Sequence, residues 1–231
     1  MKNLLVYVNP RRSFDEEHDC LARIQIDNSF RLGWKKEDMI MATNFPFEYN
    51  GFKSTEIPDD CFCDHWPRSS KIAGIIHLLQ SNIIDELCWF HDFDAFQLNP
   101  IVESELGFDR LDVGFTDYGW KSRWNTGSFF FRPNALDLFV FMLNTLYVFE
   151  SDEEDALAWL IKHNCGDINE RYKKLNITYN IGMNKLDRNV EVADKPLKVL
   201  HFHPGKRDLM ERFKPLMPIG LVDIMSQHGH N

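Results

Sequence analysis

Asp92 and Asp94 stand one residue apart, directly after the apolar run Leu87-Cys88-Trp89-Phe90 and His91. Residues i and i+2 of an extended chain point the same way, so both carboxylates can converge on one cation. Carboxylates at the rim of a sheet suit Mg²⁺ or Mn²⁺, hard ions that keep coordination positions open for substrate phosphates. Further groups follow in order. Trp124-Asn125-Thr126-Gly127-Ser128 is a polar turn that feeds the apolar run Phe129-Phe130-Phe131. Asp152-Glu153-Glu154-Asp155 is an acidic cluster opening a helix, where carboxylates also serve capping and the helix dipole. Leu200-His201-Phe202-His203-Pro204-Gly205-Lys206-Arg207 ends a strand in histidine, with a glycine and two cations behind it.

Alternating strand and helix patterns supply the frame for these groups and predict an α/β sheet with helices on its faces. Residues 4–8 form a short apolar strand ending at Asn9-Pro10. Residues 20–30 have helical spacing in Leu21, Ile24 and Phe30, and residues 38–42 form a second strand. Residues 44–67, rich in Asn, Pro, Gly and Asp, read as a long loop of the kind that is often functional. Ser69 or Ser70 caps a helix that carries Ile72, Ile75, Ile76 and Leu79 on one face. Residues 86–91 are the strand leading into Asp92, and residues 112–116 and 127–131 are two more. A helix begins at Asn134, and another spans 152–163 with Ser151 or Asp152 as its cap. Residues 197–203 are a late strand.

The 231 residues, 44% hydrophobic with 19 Phe and 6 Trp, are enough for one domain with a substantial core. A net charge of −9 argues against a protein that coats nucleic acid. Cys20, Cys61, Cys63, Cys88 and Cys165, odd in number and scattered, fit neither a disulfide scaffold nor a zinc ribbon and read as reduced thiols. The first apolar stretch is too short for a signal-peptide core. The longest, 135–149, is interrupted by Asp137 and Asn144 and reads as a core helix. The expectation is a soluble, cytoplasmic chain, in a host cytoplasm if phage-encoded.

In the order of these groups the sequence resembles the GT-A glycosyltransferases, particularly their glycogenin-like and galactosyltransferase-like branch. Members share a strand-end Asp-x-Asp, an Asn-x-Gly turn, an acidic cluster opening a helix, and a C-terminal His followed by Gly and Lys. The resemblance runs through residues 1–210 and rests on these short motifs. It implies a single Rossmann-like α/β domain over residues 1–231, with a mixed, mainly parallel central sheet flanked by helices. Residues 1–100 would be the nucleotide-binding half, and 101–231 the acceptor half with a C-terminal metal- and phosphate-binding segment. The implied activity is metal-dependent transfer of a sugar from a nucleotide sugar, by family default a UDP-sugar, to a hydroxyl acceptor.

The resemblance also implies roles for residues. Asp92 and Asp94 would hold Mn²⁺ or Mg²⁺ against the diphosphate, with His201 or His203 as the third protein ligand. These histidines alternate on a strand, and Pro204-Gly205 is shifted by one from the family spacing, so both stay open. Gly205 and Lys206, with Arg207 behind, would meet the diphosphate, while Lys71, or Arg68 near it, would reach sugar or phosphate. Asn125 would bind hydroxyls of the donor sugar and Gly127 would let the backbone approach it. Val8, Asn9, Pro10 and Arg11 or Arg12 would contact the nucleotide, followed by Thr43 and Asn44. Asp155 or Glu154 would position or deprotonate the acceptor hydroxyl. Where glycogenin-like relatives carry Gln near this point the chain has only carboxylates, so the resemblance does not extend to retention of anomeric configuration.

Tyr118-Gly119-Trp120-Lys121-Ser122-Arg123-Trp124 is an aromatic and basic loop beside the implied sugar site, and aromatic faces stack on sugars and nucleobases alike. The acceptor stays open between a saccharide or small molecule and a hydroxylated base in DNA, as in phage DNA-modifying enzymes. Two other readings keep part of the site. One is a metal-dependent hydrolase of nucleotide sugars or phosphoesters, built on Asp92, Asp94 and His203. The other is a non-catalytic sugar- or nucleotide-binding module.

Overall fold

The strands of this chain are short apolar runs separated by amphipathic segments, and the computed structural model describes them over residues 1–108, 110–119, 121, 123–202 and 213–229. In chain order the strands are β1 (Lys2–Tyr7), β2 (Met39–Thr43), β3 (Glu48–Tyr49), β4 (Phe52–Lys53), β5 (Thr55–Glu56) and β6 (Cys88–His91). They continue as β7 (Ala95–Gln97), β8 (Val113–Asp117), β9 (Trp124–Phe131), β10 (Tyr172–Lys174), β11 (Ile181–Gly182) and β12 (Val199–His201). The helices are α1 (Glu16–Arg31), α2 (Ser70–Gln80), α3 (Glu103–Leu106), α4 (Leu136–Phe149), α5 (Glu153–His163), α6 (Ile168–Arg171), α7 (Leu186–Val192) and α8 (Ile219–Gln227).

The central sheet has seven strands in the order β10-β8-β9-β6-β1-β2-β5. β1 runs parallel to β2 and β6, β2 to β5, and β10 to β8, while β9 is antiparallel to both its neighbours. This is the mixed, mainly parallel sheet the sequence predicts. Adjacent residues of β1 feed opposite layers: Leu4 packs with Ile72, Ile75, Phe129 and Leu157, and Leu5 with Leu21, Ile24, Leu221 and Met225. Helices α2, α4 and α5 thus cover one face, and α1 and α8 the other. Burial on both sides explains why β2 is apolar at nearly every position rather than alternating.

A second, three-stranded sheet has the order β11-β12-β7. β7 starts immediately after Asp94 and runs antiparallel to β12, with His201 opposite Ala95. That register carries the late strand to the end of β6.

The local differences from expectation have simple causes. Ser69 occupies the position before α2, but its hydroxyl donates to Glu153 instead of capping. Ser70 Oγ accepts from Cys63 N, seven residues back. Asp152 does cap its helix, accepting from the Asp155 amide. The expected loop 44–67 contains the β3–β4 hairpin, and β5 extends the edge of the central sheet. Among the described residues no helix is long and apolar enough to cross a membrane. All five cysteines are unbridged.

Candidate active site

β1, β2 and β6 are parallel, so their carboxyl ends open on one edge of the sheet, where ligands of open α/β sheets bind. β6 ends at His91 and the chain turns at once, with Ala95 N donating to Asp92 O at 3.0 Å. The pairing of β7 with β12 then brings His201 back to this turn. His201 Nε2 lies 3.3 Å from Asp94 Oδ1 and 3.9 Å from Asp92 Oδ2. One ligand atom from each of the three residues falls within 4.8 Å of the others. Two carboxylates and an imidazole form a donor set able to hold a divalent metal ion. His203, Gly205, Lys206 and Arg207 lie outside the described residues, as do Trp120 and Ser122.

His201 is buried and its ring is oriented from behind. Its Nδ1 donates to Asn180 Oδ1 at 3.0 Å. Asn180 cannot present its other end, because its Nδ2 donates to Asn125 O at 3.2 Å. The Nε2 lone pair of the neutral ring therefore aims at the carboxylates. Burial opposes protonation of His201, but Asp94 and Asp92 outweigh it and hold the imidazole above its usual range. Asp92 is pushed up by burial, against the pull of Lys71 and His201. Asn180 carried no sequence signal, since its partner is 21 residues distant. Asn180→Leu is expected to weaken Mn²⁺ binding by about 10- to 100-fold, the usual effect of removing a group that orients a ligand. Calorimetric titration with Mn²⁺ checks this, and an unchanged affinity would contradict the assigned role.

Gly127 faces the same ring. A Cβ there would sit 1.9 Å from His201 Cε1. The glycine is not among the positive-φ residues, so it supplies space and not an unusual backbone. Asn125 Oδ1 accepts from Gly127 N at 3.0 Å, while its Nδ2 is buried with no partner among the described residues.

Lys71, in the first turn of α2, is buried and points beneath Asp92. Its Nζ is 3.2 Å from Asp92 Oδ1, 3.1 Å from Glu153 Oε1 and 3.2 Å from Thr126 O. The three donors of an ammonium are thus matched by three acceptors. Burial opposes the charge on Lys71, but Asp92 and Glu153 raise its pKa above the ordinary value. Glu153 also accepts from Ser69 Oγ at 2.7 Å and Thr126 Oγ1 at 3.2 Å. Burial would raise its pKa, yet Lys71 and the Ser69 hydrogen bond bring it down to about 2.

The acidic cluster therefore divides by helical phase. Glu153 turns inward to Lys71. Glu154 accepts from Tyr118 Oη at 2.7 Å and lies 2.8 Å from Arg123 Nε. The Asp155 side chain is 61% exposed and 3.7 Å from Arg123. Sequence reasoning assigned roles to Glu154 and Asp155 and gave none to Glu153, the member in contact with the Asp92 network.

At the ends of β1 and β2, Asn9 N donates to Asn44 Oδ1 at 2.9 Å, and Asn44 Nδ2 reaches Asn9 O at 2.9 Å and Asp59 Oδ1 at 2.8 Å. Val8 and Thr43 are buried behind this contact. Arg12 is paired with Asp59 at 2.7 Å, while Arg11 and Arg68 are exposed.

No protein-family model matches this chain, and no curated protein matches its sequence. Solved structures do match. One is a glycosyltransferase involved in the glycosylation of the major capsid of PBCV-1, with TM-score 0.62 and 13% identity over 94% of this chain and 98% of that one. The glycosyltransferase GlyE of Streptococcus pneumoniae TIGR4 matches with TM-score 0.63 and 9% identity, over 98% of this chain and 63% of GlyE. The galactosyltransferase LgtC, in complex with donor and acceptor sugar analogs, matches with TM-score 0.60 and 12% identity over 93% and 94% of the two chains. At such identities the likeness is one of fold, and the chain has the GT-A glycosyltransferase fold in the form these LgtC-like enzymes share.

Proposed function

We propose that this chain is a metal-dependent glycosyltransferase that moves a sugar from a nucleotide sugar, most simply a UDP-sugar, to a hydroxyl acceptor. The observation that carries the reading is the convergence of Asp92, Asp94 and His201 at the carboxyl edge of a sheet whose structural neighbours are glycosyltransferases. Asp92, Asp94 and His201 would hold Mn²⁺ or Mg²⁺, with His203 as a further candidate ligand. Such an ion supplies Lewis-acid charge to a leaving diphosphate.

The protein's own groups divide the remaining work. Val8, Asn9 and Arg11 in the half 1–100 would bind the nucleotide, and Gly205 and Lys206 the diphosphate. Asn125 Nδ2, without a partner among the described residues, supports a hydrogen bond to a donor-sugar hydroxyl, because a buried donor left unmade costs about 1–3 kcal/mol. Lys71 holds the carboxylates of Asp92 and Glu153 together, so that the site does not fly apart by like-charge repulsion. In the half 101–231, Glu154 or Asp155 would position or deprotonate the acceptor hydroxyl. Burial raises the pKa of Glu154, which moves it toward the range of a working base. The net charge of −9 favours a saccharide or small-molecule hydroxyl over a hydroxylated DNA base.

The test is incubation with a panel of nucleotide sugars and Mn²⁺, with released nucleotide measured with and without saccharide and hydroxymethylated-DNA acceptors. Acceptor-dependent release supports transfer and identifies the acceptor class. Release that is equal without any acceptor would replace this reading with a hydrolase.

A further inference from the structure

The inward face of α1 is polar where a core helix is ordinarily apolar. Gln25 and Asn28 are 1% exposed and Ser29 is 3% exposed, among Leu21, Ala22, Ile24 and Ile26. Buried polar side chains of this kind are retained paired; Gln25 and Asn28 are committed to the Asp92 turn and β7, and Ser29 to Asn3 of β1. Gln25 Nε2 donates to Phe93 O at 2.7 Å and to Ala95 O at 3.1 Å. Asn28 Nδ2 donates to Gln97 O at 2.9 Å, one turn along the helix and further down β7. Ser29 Oγ accepts from Asn3 Nδ2 at 3.1 Å, and Asn3 Oδ1 meets His91 Nε2 at 2.8 Å.

A primary amide nitrogen carries two hydrogens, and Gln25 uses one on each side of Asp94. The reverse orientation is ruled out, because it would set the amide oxygen against two carbonyl oxygens. Phe93 O belongs to the peptide that leads into Asp94, so fixing it fixes the rotation of that peptide. Beyond Asp94, the Asp94 carbonyl accepts from Phe202 N at 2.8 Å. Asp92 O accepts from Ala95 N at 3.0 Å. The turn is therefore held at every carbonyl from 92 to 95. Gln25 holds two of these from α1, whose His18 ring also packs against Phe93.

We infer that Gln25 is a positioning residue for the Asp-x-Asp turn, setting the direction in which Asp94 presents its carboxylate to His201. The inference rests on the metal reading of that site. It makes Gln25 different in kind from Asn28, which makes a similar buried bond on the same helix but beyond the turn.

The test compares Gln25→Met, which keeps reach and loses the donors, with Asn28→Leu. Mn²⁺ binding to the whole chain is measured by calorimetry, with urea denaturation alongside. Gln25→Met is expected to weaken Mn²⁺ binding about tenfold or more, the scale of lost ligand orientation, while Asn28→Leu leaves it unchanged. Both are expected to lower stability. Unchanged affinity in Gln25→Met would overturn the inference, and so would equal weakening in both variants, which would mark a structural role only. Should Gln25→Met not fold, Gln25→Leu, shorter and likewise without donors, takes its place with the same expectation. Asp94→Asn, run in parallel, separates the two layers of the argument. If the native chain binds Mn²⁺ and Asp94→Asn does not, a silent Gln25→Met sinks this inference alone. A native chain that binds no Mn²⁺ sinks the metal reading and this inference with it.

Discussion

Gly127→Ala is expected to weaken Mn²⁺ binding by about 100-fold or more while the chain still folds cooperatively. The added Cβ would lie 1.9 Å from His201 Cε1, 2.4 Å from Nδ1 and 2.7 Å from Nε2, so something must move. The backbone of Gly127 is poorly placed to yield. Its N–H is bonded to Asn125 Oδ1 at 3.0 Å, and its carbonyl accepts from Asp92 N at 2.8 Å. The ring is the softer partner. Tipping it breaks the Asn180 bond and withdraws Nε2 from Asp94, removing the imidazole ligand and its orientation together. Overpacking of this kind costs about 1–3 kcal/mol of stability, which a domain of this size tolerates. A calorimetric titration with Mn²⁺ and a urea unfolding curve on the same sample read the two effects separately. Native-like Mn²⁺ affinity would contradict the packing of His201 against Gly127.

Lys71→Met is expected to destabilise the fold by about 3–5 kcal/mol, the usual result of removing one partner from a buried ionic group. Methionine keeps the apolar stem but leaves Glu153 without its main counter-charge. Asp92, with 32% of its side chain exposed, is the better hydrated of the two carboxylates. The pH dependence identifies the cause. In the native chain the Glu153 pKa is lowered from 4.5 to about 2, so its stabilisation is full above 4.5 and is lost as pH falls toward 2. Without Lys71, burial raises the folded-state value above the unfolded one, and stability should increase as pH falls through it. Urea midpoints from neutral pH downward should thus move in the variant against the native trend. A Lys71→Met chain as stable as the native one, with an unaltered acid profile, would contradict the buried triad.

Much of the frame was legible because it rests on local patterns. β1, β2 and β6 are apolar runs bounded by turn residues, and α2 and α5 carry clear apolar faces, so their places along the chain follow from periodicity. The carboxylate pair was legible because it ends an apolar strand, where both carboxylates can converge on one cation. The parts that were not legible depend on pairings distant in sequence. β7 is three residues long and carries no period, yet its register with β12 sets His201 opposite Ala95. Spacing left the choice between His201 and His203 open. Glu153 was hidden by its neighbours, because which of three adjacent carboxylates turns inward depends on where the Asp152 cap starts the helix. Gln25 looks like an ordinary surface glutamine until the helix is docked. Gly127 was legible as a glycine near the site, and its neighbour could be known only from the fold.

Asp92, Asp94 and His201 are proposed to form a metal-dependent nucleotide-sugar site. Its most direct test is calorimetric binding of UDP, GDP and their sugars, with and without Mn²⁺, to the native chain and to Asp94→Asn. Mn²⁺-dependent binding of one nucleotide and its sugar is expected, lost in Asp94→Asn. Absence of nucleotide binding under every condition would contradict it and leave Asp92 and Asp94 as the solvated end of a strand.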